Sequence, residues 1–124
     1  MNWLAVAIGG ALGSVTRYGV ALLLPVATGK FPWPTFIVNL VGSFLIGIAF
    51  VLIVQKQTLA PELRLWVMTG FLGGFTTFSS FSLETLQLWQ QGQNIQALIY
   101  IISSVMCCLL AVALAVGLTQ KFFG

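Results

Sequence analysis

The sequence predicts an all-α membrane protein, with four transmembrane helices of which the third is broken mid-membrane. Three observations carry this. The 124 residues are 59% hydrophobic and only 6% charged, where soluble domains average about 25% charged. Four apolar stretches are each long enough to span a bilayer, which takes about 20 residues, and only short connectors separate them. One of the four contains Gly70, Gly73 and Gly74 followed by the hydroxyl run Thr76, Thr77, Ser79, Ser80 and Ser82, a composition that does not sustain continuous helical hydrogen bonding.

The first span covers residues 3–24 and ends at Pro25. The second, 33–54, is entered through Pro32 and Pro34; proline is well tolerated at a helix start. The third, 63–89, follows Pro61 and Glu62 and is broken around residues 73–77. The fourth covers 95–118. The connectors at 25–32, 55–62 and 90–94 are too short for a soluble domain, so residues 1–124 form one transmembrane domain with both termini on the same side. The N-terminus lacks the basic residues that precede a signal peptide's apolar core, since Arg17 lies inside the run. Met1 is therefore expected to start the mature protein.

The charges set the topology. Lys56, Arg64 and Lys121 fall on the side of the termini, and Lys30 on the other. The positive-inside rule then puts the termini in the cytoplasm, but three against one is thin enough to allow insertion in both directions. Small residues let membrane helices approach closely. Gly9 with Gly13, and Gly10 with Ser14, give the first helix such faces, and Gly42 and Gly47 thin the second. Four helices enclose little volume alone, so the expected assembly is a homodimer with pores between or beside the subunits.

Several function classes are excluded early. There is no histidine, and the only acids are Glu62 and Glu84, which disfavours acid–base catalysis and side-chain metal clusters. No nucleophile–base pair is present, so the chain does not read as an enzyme. The net charge of +3 is scattered, without the basic patch that nucleic-acid binding needs. Cys107 and Cys108 are adjacent on a helix, so they point apart and cannot readily bridge.

In lipid, irregular backbone survives only where protein buries it or where it lines a cavity. Residues 70–82 therefore mark an ion or solute site. The polar residues around it keep two readings each. Arg17, mid-helix, is either a snorkelling side chain or a fixed positive charge at a pore mouth; a buried charge costs about 2.5–3.5 kcal/mol on insertion scales. Asn39 shares a face with Thr35 and Ser43, and either bonds a neighbouring helix or donates its amide to a permeating anion. Phe75, Phe78 and Phe81 recur at i, i+3. They are either packing residues or rings whose positive edges meet an anion. Glu84 caps a polar track or pairs with Arg17 of a neighbouring subunit. Tyr100, Ser104 and Cys108 form a stripe on the fourth helix, either as packing contacts or as donors along a path.

Taken together, these residues resemble the Fluc (CrcB) fluoride channel family over nearly the whole chain. The first-helix pattern is Gly9-Gly10-x-x-Gly13-x-x-x-Arg17-Tyr18, and the second is Thr35-x-x-Val38-Asn39-x-x-Gly42-x-Phe44-x-x-Gly47. The third is the run from Gly70 to Ser82 followed by Glu84. The resemblance implies a passive, fluoride-selective channel that exports fluoride across the cell inner membrane. It implies an antiparallel, dual-topology homodimer with two pores, and a central sodium ion held at the helix break by the backbone carbonyls of Gly73 and Thr76 from each subunit. By the same resemblance Phe78, Phe81 and Asn39 line the pore. Ser80 and Thr77 lie beside the rings, and Tyr100, Ser104 and Glu84 lie on the outer polar track. Arg17 marks the vestibule. Cys108 stands where the family pattern suggests a hydroxyl residue, and Ser80 where threonine is common. A small multidrug exporter of the four-helix kind is the competing reading, but it would need an acid early in the chain, where this one has Arg17. A transport-free assembly subunit would have no use for unwound backbone.

Overall fold

The computed structural model describes residues 1–123, and among them there is helix but no strand. Helix α1 is Asn2–Leu23. It stops at Leu24, whose φ −125 and ψ 65 are not helical; a residue before proline is pushed out of the helical region. The chain turns through Gly29 at φ +80, a left-handed conformation that costs glycine nothing. Helix α2 is Trp33–Gln55, with Pro34 in its first turn. Its last turn, Phe50–Gln55, widens to i→i+5 bonding.

Helix α3, residues 64–75, joins the wide-coiled Arg64–Leu72 to the single turn Gly73–Phe75. Two extended residues follow, Thr76 (φ −89, ψ 160) and Thr77 (φ −153, ψ 121). Helix α4 is Phe78–Gln90. It ends in a Schellman motif, in which Gly92 N donates to Trp89 O at 3.1 Å and Gln93 N to Leu88 O at 2.8 Å. That bonding pattern needs a left-handed residue, and Gly92 supplies it at φ +79. Helix α5 is Asn94–Phe123.

Three of these helices, α1, α2 and α5, are long and apolar enough to cross a membrane. Much of their surface is bare of protein, including Leu12, Leu22, Ile102, Leu109 and Leu110. Such a surface suits a lipid solvent, and the chain is a multi-pass membrane protein. The expected fourth helix at 95–118 runs further, to Phe123. The expected span 63–89 is divided between α3 and α4.

Packing sorts the helices into two principal pairs, α1 against α3 and α2 against α5, with α4 leaning on α5. The glycine face of α1 belongs to the first pair. A Cβ on Gly9 would lie 2.5 Å from the Trp66 carbonyl oxygen and 3.1 Å from the Gly70 Cα. One on Gly74 would lie 2.5 Å from the Gly10 carbonyl oxygen. The two backbones touch, and no side chain fits between them. The small residues give the close helix approach expected of them. The Gly9–Gly13 face is satisfied within the chain, so it is no evidence for a dimer interface. Gly47 likewise packs on Ala115 of α5.

Candidate functional site

The site grows from the two extended residues between α3 and α4. Asn39 of α2 holds them open. Its Nδ2 donates to the Thr77 carbonyl at 3.0 Å, and its Oδ1 accepts from the Thr77 N–H at 2.8 Å. The Thr77 hydroxyl then caps α4, accepting from Ser80 N at 3.2 Å and donating to Ser80 Oγ at 3.1 Å. A threonine cap on the N-terminal amides of a helix contributes about 1 kcal/mol.

These bonds have a consequence for the carbonyls. In a continuous helix Gly73 O would accept from Thr77 N, and Thr76 O from Ser80 N. Both donors are engaged elsewhere, by Asn39 and by the Thr77 hydroxyl. Gly73 and Thr76 therefore present carbonyl oxygens without their helical donors. Leu72 O, by contrast, accepts from both Thr76 N at 3.0 Å and Thr76 Oγ1 at 2.9 Å. Gly74 O accepts from Arg17 Nε at 3.1 Å. A hard cation is bound by oxygen ligands of this kind, and unwound carbonyls and half-helix C-termini are the donors that membrane proteins use for sodium. The donor set at residues 73 and 76 fits such an ion.

Two cavities flank the extended pair, and Thr77 lines both. The first, about 440 Å³, lies between α2, α3, α4 and α5. Its wall includes Asn39, Gly73, Thr76, Phe78, Phe81 and Ser104. Phe78 is 78% exposed, and its ring lies 5.6 Å from that of Phe81, tilted at 50°. Ser104 is only 6% exposed, yet its Oγ has no hydrogen-bond partner. A serine inside a helix commonly donates to the carbonyl four residues back, as Ser103 does to Ile99 O at 2.6 Å. Ser104 does not, and leaving such a group unpaired costs about 1–3 kcal/mol. Its hydroxyl is an unpartnered donor buried behind the wall of a largely apolar space.

The second cavity, about 520 Å³, is bounded by Arg17, Thr35, Thr77, Ser80 and Glu84. Here the polar groups are held in place. Thr35 Oγ1 donates to Glu84 Oε2 at 3.0 Å, and the Tyr100 hydroxyl donates to Glu84 Oε1 at 3.0 Å. Tyr100 is fully buried, and its ring is in turn wedged between Phe31 and Phe81. Arg17 and Glu84 share this cavity without bonding each other, because Arg17 reaches instead to Gly74.

Of the residues singled out in the sequence, Asn39, Thr77, Phe78, Phe81, Ser104, Gly73 and Thr76 meet at the first cavity, and Arg17, Thr77, Ser80 and Glu84 at the second. Tyr100 lines neither cavity and acts on Glu84 from behind. Phe75 parts company with the other two phenylalanines. The extended pair falls between them, so Phe75 turns into the core with Val38 and Leu72, stacked on Phe71. Sequence reasoning missed the bond from Thr35 to Glu84 and the one from Arg17 to Gly74. It also missed Thr77 as a helix cap, which a hydroxyl residue three before Ser80, at the head of an amphipathic stretch, could have signalled.

The family described as CrcB-like protein, Camphor Resistance (CrcB), matches residues 4–117. A fluoride-specific ion channel of Saccharophagus degradans is 50% identical over 119 residues, covering 96% of this chain and 90% of its own. One from Hahella chejuensis is 55% identical over 116 residues, covering 93% and 91%. One from Rhizobium meliloti is 48% identical over 118 residues, covering 94% of each.

Proposed function

The chain belongs to the CrcB family, and on that premise we propose that it is a passive, fluoride-selective ion channel, not an enzyme, that lets fluoride leave the cytoplasm. The observation that carries the reading is the first cavity. It joins two phenylalanine rings, the Asn39 amide and the partnerless Ser104 hydroxyl at an interruption in the helix. A small anion entering this space loses water. It gains a hydroxyl donor, the one N–H of Asn39 that Thr77 does not take, and the positive edges of Phe78 and Phe81. No carboxylate lines the space.

The second cavity continues from Thr77 to Ser80, Arg17 and Glu84. Glu84 also borders a third space that opens at the Thr28–Lys30 turn. In this reading Arg17 and Lys30 draw anions towards the path, and Tyr100 and Thr35 hold Glu84 aside so that it does not repel them. The driving force is the membrane potential, about 2.3 kcal/mol per charge per 100 mV. Hydrofluoric acid crosses the membrane uncharged and releases fluoride in a less acidic cytoplasm. A passive pore then suffices for export.

The proposal includes an antiparallel, dual-topology homodimer in the inner membrane with two pores, the second half of each supplied by the partner. Phe78 supports this, since a ring so exposed and lying on a cavity wall is half of a lined passage. It also includes a sodium ion at the interruption, held by the Gly73 and Thr76 carbonyls of both subunits. When bound, that ion supplies a fixed positive charge where the two helices part.

The test is efflux from liposomes holding the purified protein, followed with a fluoride electrode. Fast release on adding valinomycin, with no release from chloride-loaded vesicles, is the expected result. Well-folded protein that releases no fluoride overturns the reading.

A further inference from the structure

The two adjacent cysteines face different surroundings. Cys107 lies in a separate apolar groove between α2 and α5, with Leu40, Phe44, Leu110 and Leu114. Cys108 lies on the wall of the first cavity, with Phe78, Phe81 and Ser104. Both thiols are free and half-buried. Ser104 stands one helical turn before Cys108 on the same face, about 5–6 Å away between Cβ atoms. Its deeply buried and unpartnered hydroxyl points to a polar occupant of that cavity, water or an ion. Cys108 is therefore a thiol on the wall of the cavity that the channel reading makes the passage, and Cys107 is a thiol in a separate apolar groove.

We propose that Cys108 is a modification site through which soft, thiophilic metal compounds close this channel. The inference rests on the channel reading above. Thiolate sulfur is a soft ligand with high affinity for soft metals, whereas a serine hydroxyl in the same place would not retain them. Neutral mercuric chloride is the apt reagent, because a free divalent cation pays heavily to enter an apolar space. In the step the S–H bond of Cys108 breaks and an S–Hg bond forms. One chloride leaves, and water takes the proton; no electron is transferred. The product, a bulky S–Hg–Cl group, fills space in front of the phenylalanine rings and covers the Ser104 hydroxyl. Cys107 carries the same chemistry into the separate groove, where an adduct obstructs nothing.

The experiment is fluoride efflux from liposomes before and after mercuric chloride, on the wild type, Cys107→Ser and Cys108→Ser, each compared with its own untreated rate. Intact mass spectrometry and peptide mapping locate the adduct. The expected result is loss of most of the efflux in the wild type and in Cys107→Ser, restored by dithiothreitol, with no loss in Cys108→Ser. An adduct on Cys108 with undiminished flux overturns the proposal, as does block that survives in Cys108→Ser or vanishes in Cys107→Ser. If Cys108→Ser fails to fold, Cys107→Ser with adduct mapping decides alone, since Cys108 is then the sole thiol. Absence of fluoride efflux from untreated wild type is a different failure, that of the channel reading.

Discussion

Asn39 and Thr77 exchange two hydrogen bonds, the side-chain amide of one pairing with both backbone groups of the other at 3.0 and 2.8 Å. The pairing is the kind that a neighbouring strand would give to an extended residue, here supplied by a single side chain. Asn39→Ala is expected to leave the part-buried Thr77 N–H and C=O unpaired, at up to about 1–3 kcal/mol for each group. Melting of the purified protein in detergent should fall, and fluoride efflux should be lost. Asn39→Asp keeps the acceptor for Thr77 N and removes the donor to Thr77 O. A second acceptor then faces the Thr77 carbonyl and a charge is left without a partner, so this variant should be no more stable than Asn39→Ala, while its negative charge suppresses anion flux. Wild-type melting in Asn39→Ala would show that the pairing is dispensable.

Phe78 and Phe81 invite a separable test. Phe78 is mostly exposed, so Phe78→Ile removes few contacts within the chain. Phe81 touches Tyr100 at 5.0 Å between ring centroids. Isoleucine at either position retains apolar bulk and loses the ring quadrupole. Both variants should purify as folded protein with fluoride efflux abolished. Normal efflux in both would sink the ring-edge role.

Close backbone contact between α1 and α3 predicts a sharp contrast among glycines. Gly74→Ala places a methyl group 2.5 Å from the Gly10 carbonyl oxygen, and overpacking of this kind costs about 1–3 kcal/mol or more. A Cβ on Gly117 in α5 would meet nothing within 4 Å. Gly117→Ala should be neutral, or stabilising by about 0.5–1 kcal/mol through helix propensity. Thermal melts of the two variants against wild type measure the difference, and equal melts would contradict the contact.

Tyr100→Phe deletes one of the two donors to Glu84 and leaves the ring packing intact. The expected loss is about 1–3 kcal/mol. Paired with Glu84→Ala in a double-mutant cycle, the two changes should be non-additive, since the residues share one bond. Efflux in Tyr100→Phe should fall if Glu84 swings into the second cavity. Additive stabilities would mean that the 3.0 Å contact contributes nothing to the fold.

Hydropathy and proline placement locate α1 and α2 almost to the residue, because both signals are local. Residues 33–54 are expected and Trp33–Gln55 is found. The stretch 70–82 stands out only as a whole. Which of its residues leave the helix is decided by Asn39, 38 positions away from Thr77, and no spacing rule relates the two. The i, i+3 phenylalanine stripe misleads for the same reason. A helical period holds only while the helix lasts, and two extended residues rotate Phe75 out of register with Phe78. Arg17 and Gly74 are 57 positions apart, and only the contact of α1 with α3 brings them together. The cap of Thr77 on Ser80, three residues apart, is the one feature of the site open to local reading.

Carbonyl oxygens are common to every amino acid, so nothing about the side chains at positions 73 and 76 writes these uncovered oxygens, the proposed cation donors, into the gene. Their availability is inherited through Asn39 and through the hydroxyl of Thr77, which divert the N–H groups that would otherwise cover them. A point mutation at either residue can erase the donor set without touching a donor, whereas many changes at position 76 would leave it in place. Descent with variation should therefore tolerate more at the oxygens than at the two residues that uncover them.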